Sequence, residues 1–446
     1  AGNKFYRYLP GIVLAAIIFL YSVIALRDLG YSYAPSTSWQ AQGKGSRIEL
    51  DFGKDIFIGG FRYYLGNYEH REFSLEIGSG EPVQWESLGT VRFDRVYQWS
   101  STSVNRSGRY LRLTSEKQFS ELKELIVYDR SGENLIPENA ASYQELFDEA
   151  YMYPGYITFR SGTIFDELFF GRTAYEYLHG LQSYEDTHPP LGKILISIGI
   201  AVFGMNPWGW RVMGTLSGIL MLPLAWVFAR RVLKSSWMAC GVASLLAFDF
   251  MHFTQTRLAG VDGFLVLFIW TSYYFVFRYW EEIRDGAGRG WRFLPPAGLF
   301  LGMAVSCKWS GFYAGAGMAL ILFAIFIAGL RKGTLSGKYL RQTFWVCAGS
   351  FFIIPAAVYV VSYFPYIPPG GKNGLWQDMW MNQKNMLAYH VNVSSSHQYA
   401  SPWYQWPLMI HPFPFFRNYR GDMAEAVFAI GNPVVWWSGA ASFFLC

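Results

Sequence analysis

The chain has 446 residues, of which 52% are hydrophobic, 19% aromatic and only 15% charged. Soluble domains carry about 25% charged residues on average, so this deficit indicates a membrane protein. The mean hydropathy of +0.14 is too low for a uniformly apolar chain and predicts a sizeable water-exposed part. A net charge of +5, without a basic run that contains aromatic residues, excludes a nucleic-acid-binding protein. The four cysteines show neither a disulfide framework nor metal-site spacing.

The first predicted element is a spanning helix at residues 9–26, an apolar run of sufficient length. Lys4 and Arg7 precede it, and Arg27-Asp28 follows where a cleaved signal peptide would have small residues. We therefore expect an uncleaved signal anchor, with residues 1–35 forming the first transmembrane helix and a linker.

Residues 36–137 are polar and contain short runs in which apolar and polar side chains alternate, as in half-buried strands. The clearest runs are 47–52, 73–77 and 109–113. The pattern predicts an inserted all-β sandwich. The order of its strands and tryptophans resembles discoidin-like jelly rolls, which implies carbohydrate binding as one role and a spacer or docking role as the alternative.

Residues 138–209 are predicted to form an outer loop with interfacial helices, because the apolar run 194–204 is too short to span. A transmembrane helix bundle is predicted at 210–364, with spans near 210–228, 237–252, 264–280, 294–306, 312–330 and 343–364. An aromatic-rich outer loop is expected at 365–425. A last transmembrane helix is expected at 426–446, truncated relative to the natural protein.

Basic residues predict the orientation of these spans. They cluster at 4–7, 230–234, 284–292 and 331–341. With strict alternation of spans all four clusters fall on one side, which the positive-inside rule assigns to the cytoplasm. We therefore expect an integral protein of the plasma or endoplasmic-reticulum membrane, with a cytoplasmic N-terminus and the β domain on the extracytoplasmic face.

Candidate chemistry on the outer face begins with the acidic pair Asp166-Glu167 and with the run His-Pro-Pro-Leu-Gly-Lys at 188–193. An acidic pair in a loop is usually a solvated turn, and a double proline can simply start a helix. Both interpretations stay open at the level of these residues alone.

Three cations, Arg211, Arg257 and Lys308, fall at the outer ends of predicted spans, where ionisable residues are functional candidates. They suit a phosphate whose lipid tail lies in the bilayer, because cations form charge-assisted hydrogen bonds to phosphate oxygens. The alternatives are snorkelling and structural salt bridges, such as Arg257 with Asp262.

Several separate segments share an order along the chain. They are 165–167, 188–193, 210–211, 249–252, 255–257, 262, 306–309, 397–407 and 431–437. Together they resemble the protein O-mannosyltransferases over most of residues 160–446. The β domain departs from the family pattern, because eukaryotic members place β-trefoil modules in the later outer loop, and this departure leaves the acceptor open.

The resemblance implies an inverting glycosyltransferase of the GT-C class that uses polyprenyl- or dolichyl-phosphate mannose as donor. Transfer of a sugar from a phosphate to a hydroxyl needs a base on the acceptor, whereas the phosphate leaves readily, so one carboxylate can suffice. We predict Asp166 as this base and Glu167 as its supporting residue. The other candidates are Arg211, Lys308, Arg257 and His188 for the donor phosphate, Lys193 and Asp262 for support, and His397, Trp403 and Trp406 on the acceptor side.

An interfacial aromatic belt is the alternative interpretation of Trp403 and Trp406. We predict no metal site, and metal dependence stays open. The expected partners are the lipid-linked donor, a protein acceptor and, by analogy with the family, a second copy of the chain. The alternative functions are transfer of another lipid-linked sugar to a glycolipid or cell-wall polymer, membrane transport, and adhesion. The charges gather at helix ends rather than at the midplane, which disfavours a transporter.

Overall fold

A computed structural model describes residues 2–67, 72–92, 95–116, 121–285, 290–331, 333, 336–393 and 399–445. Within these residues the α-helices are α1 (Gly2–Leu26), α2 (Glu167–His179), α3 (Leu191–Phe203), α4 (Pro207–Leu233), α5 (Ser236–Ala247), α6 (Phe250–Thr256), α7 (Asp262–Arg284), α8 (Leu294–Cys307), α9 (Gly311–Arg331), α10 (Gly337–Ala348), α11 (Ile354–Ser362), α12 (Leu375–Asn392) and α13 (Pro433–Leu445). A π-helical turn at Gly349–Ile353 joins α10 to α11.

The strands belong to two antiparallel sheets. They are β1 (Trp39–Gln40), β2 (Arg47–Leu65), β3 (Glu72–Ser79), β4 (Gln84–Arg92), β5 (Trp99–Ser115), β6 (Glu121–Tyr128), β7 (Asn134–Leu135), β8 (Phe413–Arg420) and β9 (Met423–Ala429). The first sheet has the order β1-β6-β2-β5-β3-β4, and β7 pairs with β6. The prediction of an inserted all-β domain is confirmed. Hydrogen bonds connect its strands into one sheet in which β2 and β5 pass through irregularities of register, and the discoidin-like assignment stays a prediction.

Four helices of the described chain are long and apolar enough to cross a membrane: Tyr8–Leu26, Pro207–Leu233, Gly311–Arg331 and the continuous helix Gly337–Ser362. A fifth span is possible if α5 and α6, which meet at a bend of 62°, are counted together. α7 and α8 form where spans were predicted. These helices and the inserted sheet confirm a multi-span α-helical membrane protein with an inserted β domain.

The predicted span at 426–446 is wrong in its first part. The segment Met423–Ala429 is the second strand of the hairpin β8–β9, and helix α13 begins only at Pro433. Gly421 lies at the turn with a φ of +53°, a backbone conformation that glycine adopts without steric cost. The predicted loop at 365–425 likewise contains helix α12 and strand β8.

One apolar core continues from the β domain into the helices. It includes Leu113 of β5, Val127 of β6, Phe170 of α2, Ile200 of α3 and Phe264 of α7. Because these side chains belong to one packed cluster, the β domain is fixed against the helical part of the chain. The segment that connects β7 of the β domain to α2, and that ends at the acidic motif, is therefore fixed at both of its ends.

Candidate active site

Asp166 lies at the start of α2, directly after a turn with unusual backbone geometry. Phe165 has a φ of +49°, a left-handed conformation that is strained for a bulky residue. Its ring contacts Phe413 and Phe415 of strand β8, with centroid distances of 5.1 and 5.0 Å. The hairpin therefore supports the turn that presents Asp166.

The Asp166 carboxylate is half-buried and makes no capping hydrogen bond to α2. Burial raises its pKa to about 6, although His188 and Lys308 favour the charged form; Asp262 and Glu185 raise it further. A carboxyl group with this pKa is ionised at neutral pH and is a much better proton acceptor than an ordinary aspartate. Asp166 therefore has the electrostatic surroundings of a general base.

Glu167 points away from this position into the protein and is 1% exposed. Its carboxylate accepts two hydrogen bonds from Arg211, both of 2.7 Å, from Nε and Nη2. It also accepts the backbone N–H groups of Ile164 and Ala259, each at 3.0 Å. Glu167 thus fixes the turn before α2 and the loop before α7, which agrees with a supporting role.

The phosphate role predicted for Arg211 does not fit this geometry. The side chain is 1% exposed, and besides Glu167 it donates to the carbonyl oxygens of Leu29 and Gly162, at 2.8 and 3.0 Å. These partners occupy the guanidinium group within the protein. Arg211 therefore ties α4 to the linker after α1 and to the acidic turn.

Arg257 also forms hydrogen bonds within the protein, and its predicted phosphate role stays a prediction. Its guanidinium donates to the carbonyl oxygens of Ala25 and Arg27, at 2.9 and 2.7 Å. Carbonyl groups at the end of a helix have no intrahelical partner, so Arg257 caps the C-terminal end of α1. The alternative salt bridge with Asp262 does not form either, because Asp262 pairs with Lys308.

Lys308 is the predicted phosphate ligand that stays accessible. It follows the last residue of α8, a favourable position for a cation, and its Nζ lies 2.9 Å from Oδ1 of Asp262. The two side chains are 35% and 49% exposed. Both act electrostatically on Asp166, so the base candidate, a cation and a second carboxylate share one place.

His188 and Lys193 belong to a buried network that also contains Glu185. Lys193 Nζ donates to the Glu185 carboxylate and to the carbonyl oxygens of Glu185 and His188. His188 Nδ1 lies 2.9 Å from Oε1 of Glu185. Burial alone would raise the pKa of Glu185, but Lys193 and His188 together lower it. Lys193 is thus structural, and His188 is held beside Asp166 by Glu185.

Among the described residues, no hydrogen bond, ion pair or ring contact joins Trp403 or Trp406 to this constellation. Trp403 and Trp406 are 73% and 60% exposed on a short 3-10 helix, Trp403–Leu408, and Trp406 donates to the carbonyl oxygen of Ser401. His397 lies outside the described residues. The acceptor roles of these three residues stay predictions.

An apolar cavity of about 970 Å³ opens beside the Lys308 position. Helices α8 to α12 contribute to its wall, with Trp309 and Gln383 at its polar part. Trp309 Nε1 donates to the Tyr359 hydroxyl at 3.0 Å, and that hydroxyl donates to Gln383 at 2.7 Å. Lys308, which pairs with Asp262, thus directly precedes a residue of the cavity wall, and the cavity suits a long apolar chain.

Two residues near the site were not predicted. Glu185 orients His188, and its position three residues earlier in the same loop could have identified it. His390 of α12 lies 5.9 Å from His188 and 6.2 Å from Trp309 between ring centroids. No motif or spacing connects His390 with the acidic turn, so only the fold identifies it.

These elements define a multi-span membrane protein with a polar site next to an apolar cavity. The family model "Dolichyl-phosphate-mannose-protein mannosyltransferase" matches residues 155–367, and the model "C-terminal four TMM region of protein-O-mannosyltransferase" matches residues 375–446. The chain belongs to the protein O-mannosyltransferase family, as the sequence motifs predicted.

Curated relatives agree with this assignment. The polyprenol-phosphate-mannose–protein mannosyltransferase of Mycobacterium tuberculosis is 26% identical over 341 residues, which cover 64% of this chain and 65% of the relative. Its Corynebacterium glutamicum counterpart is 26% identical over 308 residues, 56% of this chain and 58% of the relative. The chain therefore spans 65% and 58% of the length of these two relatives, in both cases less than two thirds. Among solved structures, the Saccharomyces cerevisiae protein O-mannosyltransferase Pmt1-Pmt2 complex bound to the sugar donor is 24% identical, with a TM-score of 0.42 over 45% of this chain and 30% of that chain.

Proposed function

We propose that this protein transfers mannose from a polyprenyl-phosphate carrier to serine or threonine hydroxyl groups of proteins. The observation that carries the proposal is the position of Asp166, a half-buried carboxylate within electrostatic reach of Lys308, whose neighbour in the chain, Trp309, lines an apolar cavity. The names of the mycobacterial and corynebacterial relatives support the donor and the acceptor class.

In the proposed reaction Asp166 accepts the proton of the acceptor hydroxyl while the hydroxyl oxygen forms a bond to C1 of the sugar. The bond between C1 and the phosphate oxygen breaks, and its electron pair leaves with the polyprenyl phosphate. Attack from the opposite face of the sugar inverts the configuration at C1. No acid is needed for the leaving group, because a phosphate monoester is stable as an anion. Asp166 supplies this one base, and Lys308 supplies the nearby cation.

Lys308 is the proposed ligand of the donor phosphate. In the structure its ammonium group contacts Asp262, and the pair is partly exposed, so a phosphate oxygen can reach Nζ without breaking a buried ion pair. His188 is a second candidate, because its Nδ1 is oriented by Glu185. The cavity beside Trp309 is the proposed location of the first part of the polyprenyl tail.

The orientation also belongs to the proposal. We place the N-terminus in the cytoplasm and the site on the extracytoplasmic face, supported by the four basic clusters. A dimer, and carbohydrate binding by the β domain, are supported only by analogy and stay predictions.

The proposal is tested with the purified full chain in lipid nanodiscs. Mannosyl polyprenyl phosphate is supplied with a serine- and threonine-rich peptide, and in parallel reactions with glucosyl polyprenyl phosphate or with a glycolipid acceptor. We expect mannosyl peptide with inverted anomeric configuration. Transfer only to the glycolipid would replace the acceptor class, whereas transfer only from the glucosyl donor would replace the donor. A product of retained configuration would contradict the single-base mechanism.

A further inference from the structure

Three carboxylates meet where the β domain joins the rest of the chain, away from the site described above. They belong to Glu124 on β6 and to Asp148 and Glu149, in the segment that leads to the acidic turn. One oxygen from each lies within 4.8 Å of the other two. Glu124 and Glu149 are 0% and 8% exposed, whereas Asp148 is exposed. Two of the three carboxylates are therefore buried, and the third is accessible to solvent.

Glu124 distinguishes this cluster from an ordinary group of surface acids. Its Oε2 accepts the backbone N–H of Glu149 at 3.0 Å, but its fully buried Oε1 has no hydrogen-bond partner among the residues that the structure describes. A buried carboxylate oxygen without a partner is costly, and metal coordination is one of the few arrangements that compensate for it.

The surrounding groups orient the other two carboxylates. Ser36 and Thr37, in the linker after α1, donate backbone and hydroxyl hydrogen bonds to Glu149. Thr37 Oγ1 also lies 2.9 Å from Oδ1 of Asp148. These hydrogen bonds fix the position of the Glu149 carboxylate beside Glu124.

The nearby cation does not neutralise the cluster. Lys123 is buried, but its Nζ donates to the carbonyl oxygen of Ser36 at 2.9 Å and pairs with Glu121 at 3.4 Å. The three carboxylates thus face each other without a bound side-chain cation among the described residues. Their mutual repulsion favours a divalent cation between them.

We propose that Glu124, Asp148 and Glu149 bind a calcium ion. All three ligands are oxygens, which suit a hard cation rather than zinc or copper. Ca²⁺ accepts irregular sets of oxygen ligands, whereas Mg²⁺ demands near-ideal octahedral geometry, so three carboxylates held by separate parts of the chain suit calcium better. Water completes the coordination from the exposed side of Asp148.

The ion would join three parts of the chain. Glu124 belongs to the sheet, Ser36 and Thr37 to the linker after α1, and Asp148 and Glu149 to the segment that continues to Asp166. Calcium would therefore stabilise the junction between the β domain and the helices without contacting the substrates. This inference is independent of the transfer reaction.

The test uses the full chain in nanodiscs after removal of metals with a chelator. Calcium binding is measured by isothermal titration, and thermal unfolding is followed with and without 2 mM CaCl₂ or MgCl₂. We expect one calcium ion per chain with a Kd on the order of 10⁻⁵–10⁻³ M, and an unfolding temperature that rises more with calcium than with magnesium. Glu124→Gln should weaken binding at least about tenfold, because it removes a charged ligand.

Glu124→Gln also distinguishes two explanations of the buried carboxyl group: that it binds a metal ion, and that it is simply protonated. In the absence of metal this variant should be at least as stable as the wild type, because glutamine needs neither an ion nor a proton to be neutral, and calcium should no longer stabilise it. Asp148→Asn, at an exposed position, is a second variant that should also weaken binding. The matched control Glu133→Gln, at an exposed turn of the same domain, should bind calcium normally. No calcium binding by the wild type, or equal binding by Glu124→Gln, would overturn the proposal.

Discussion

The pair Glu167–Arg211 offers a test of the assigned structural roles, with Glu167→Gln as the perturbation. Four donors surround the carboxylate: Nε and Nη2 of Arg211 and the N–H groups of Ile164 and Ala259. The amide of glutamine would point its own N–H groups at two of these donors. It would also leave the buried charge of Arg211 uncompensated.

The expected cost is large because both partners are 1% exposed. Removal of one partner from a buried ion pair costs about 3–5 kcal/mol. For domains of 150–250 residues each kcal/mol corresponds to about 2–4 °C, so the unfolding temperature should fall by roughly 5–10 °C in this larger chain. The assay is thermal unfolding in nanodiscs at one fixed heating rate, with transfer activity measured on the same samples.

A double variant provides the control for this prediction. Glu167→Leu combined with Arg211→Met removes both charges, and replacement of a buried pair by apolar side chains is often neutral. The double variant should therefore recover part of the stability lost in Glu167→Gln, and not all of it, because the N–H groups of Ile164 and Ala259 lose their acceptor. An unchanged unfolding temperature for Glu167→Gln together with lost transfer would refute the reasoning, since it would make Glu167 a reacting group.

Three further predictions concern the site and the helix packing. Because the pKa of Asp166 is about 6 and a base acts when deprotonated, transfer should be constant above pH 7, halved at pH 6 and about a tenth at pH 5. Lys308→Ala should weaken donor binding by about 10–100-fold, because a charge-assisted hydrogen bond contributes about 1.5–3 kcal/mol, with Lys308→Arg retaining part of it. Gly298→Ala should destabilise the bundle by about 1–3 kcal/mol or more, because its added methyl group would overlap the Ser350 carbonyl oxygen. Thermal unfolding measures this loss.

Matched controls exist for these variants. Lys384→Ala removes an exposed cation of α12 and should leave donor affinity unchanged. Gly241→Ala adds a methyl group that would meet no described atom within 4 Å apart from the chain neighbours and backbone of its own helix, and it should not destabilise. A rate that rises as pH falls below 6, equal donor affinity for Lys308→Ala and wild type, or equal stability of the two glycine variants would contradict the respective predictions.

The sequence predicts the helices that depend on local composition. The apolar runs of α1, α4 and α9 are long and uniform, so length and hydropathy locate them. The hairpin β8–β9 could not be predicted in this way, because the apolar residues after Glu425 suit a helix end equally well. Only the pairing of Met423–Ala429 with Phe413–Arg420 makes them a strand.

For the site, the motifs predict the residues but not the pairing among them. Arg211 and Lys308 look alike in the sequence, since both are cations at the ends of apolar helices. Their difference comes from distant partners: Arg211 donates to the carbonyl oxygen of Leu29, 182 positions away, and to Glu167. Burial of such a pair depends on the packing of the whole bundle, which no local pattern contains.

The central claim is that Asp166 removes the proton from the acceptor. The most direct measurement is single-turnover transfer of mannose by Asp166→Asn, with donor binding measured on the same preparation. We expect the rate to fall by about 10²–10⁴-fold, the contribution typical of a general base. Donor affinity should stay near the wild-type value, and stability should be unchanged or higher because a half-buried charge is removed. Transfer by Asp166→Asn at the wild-type rate would contradict the account.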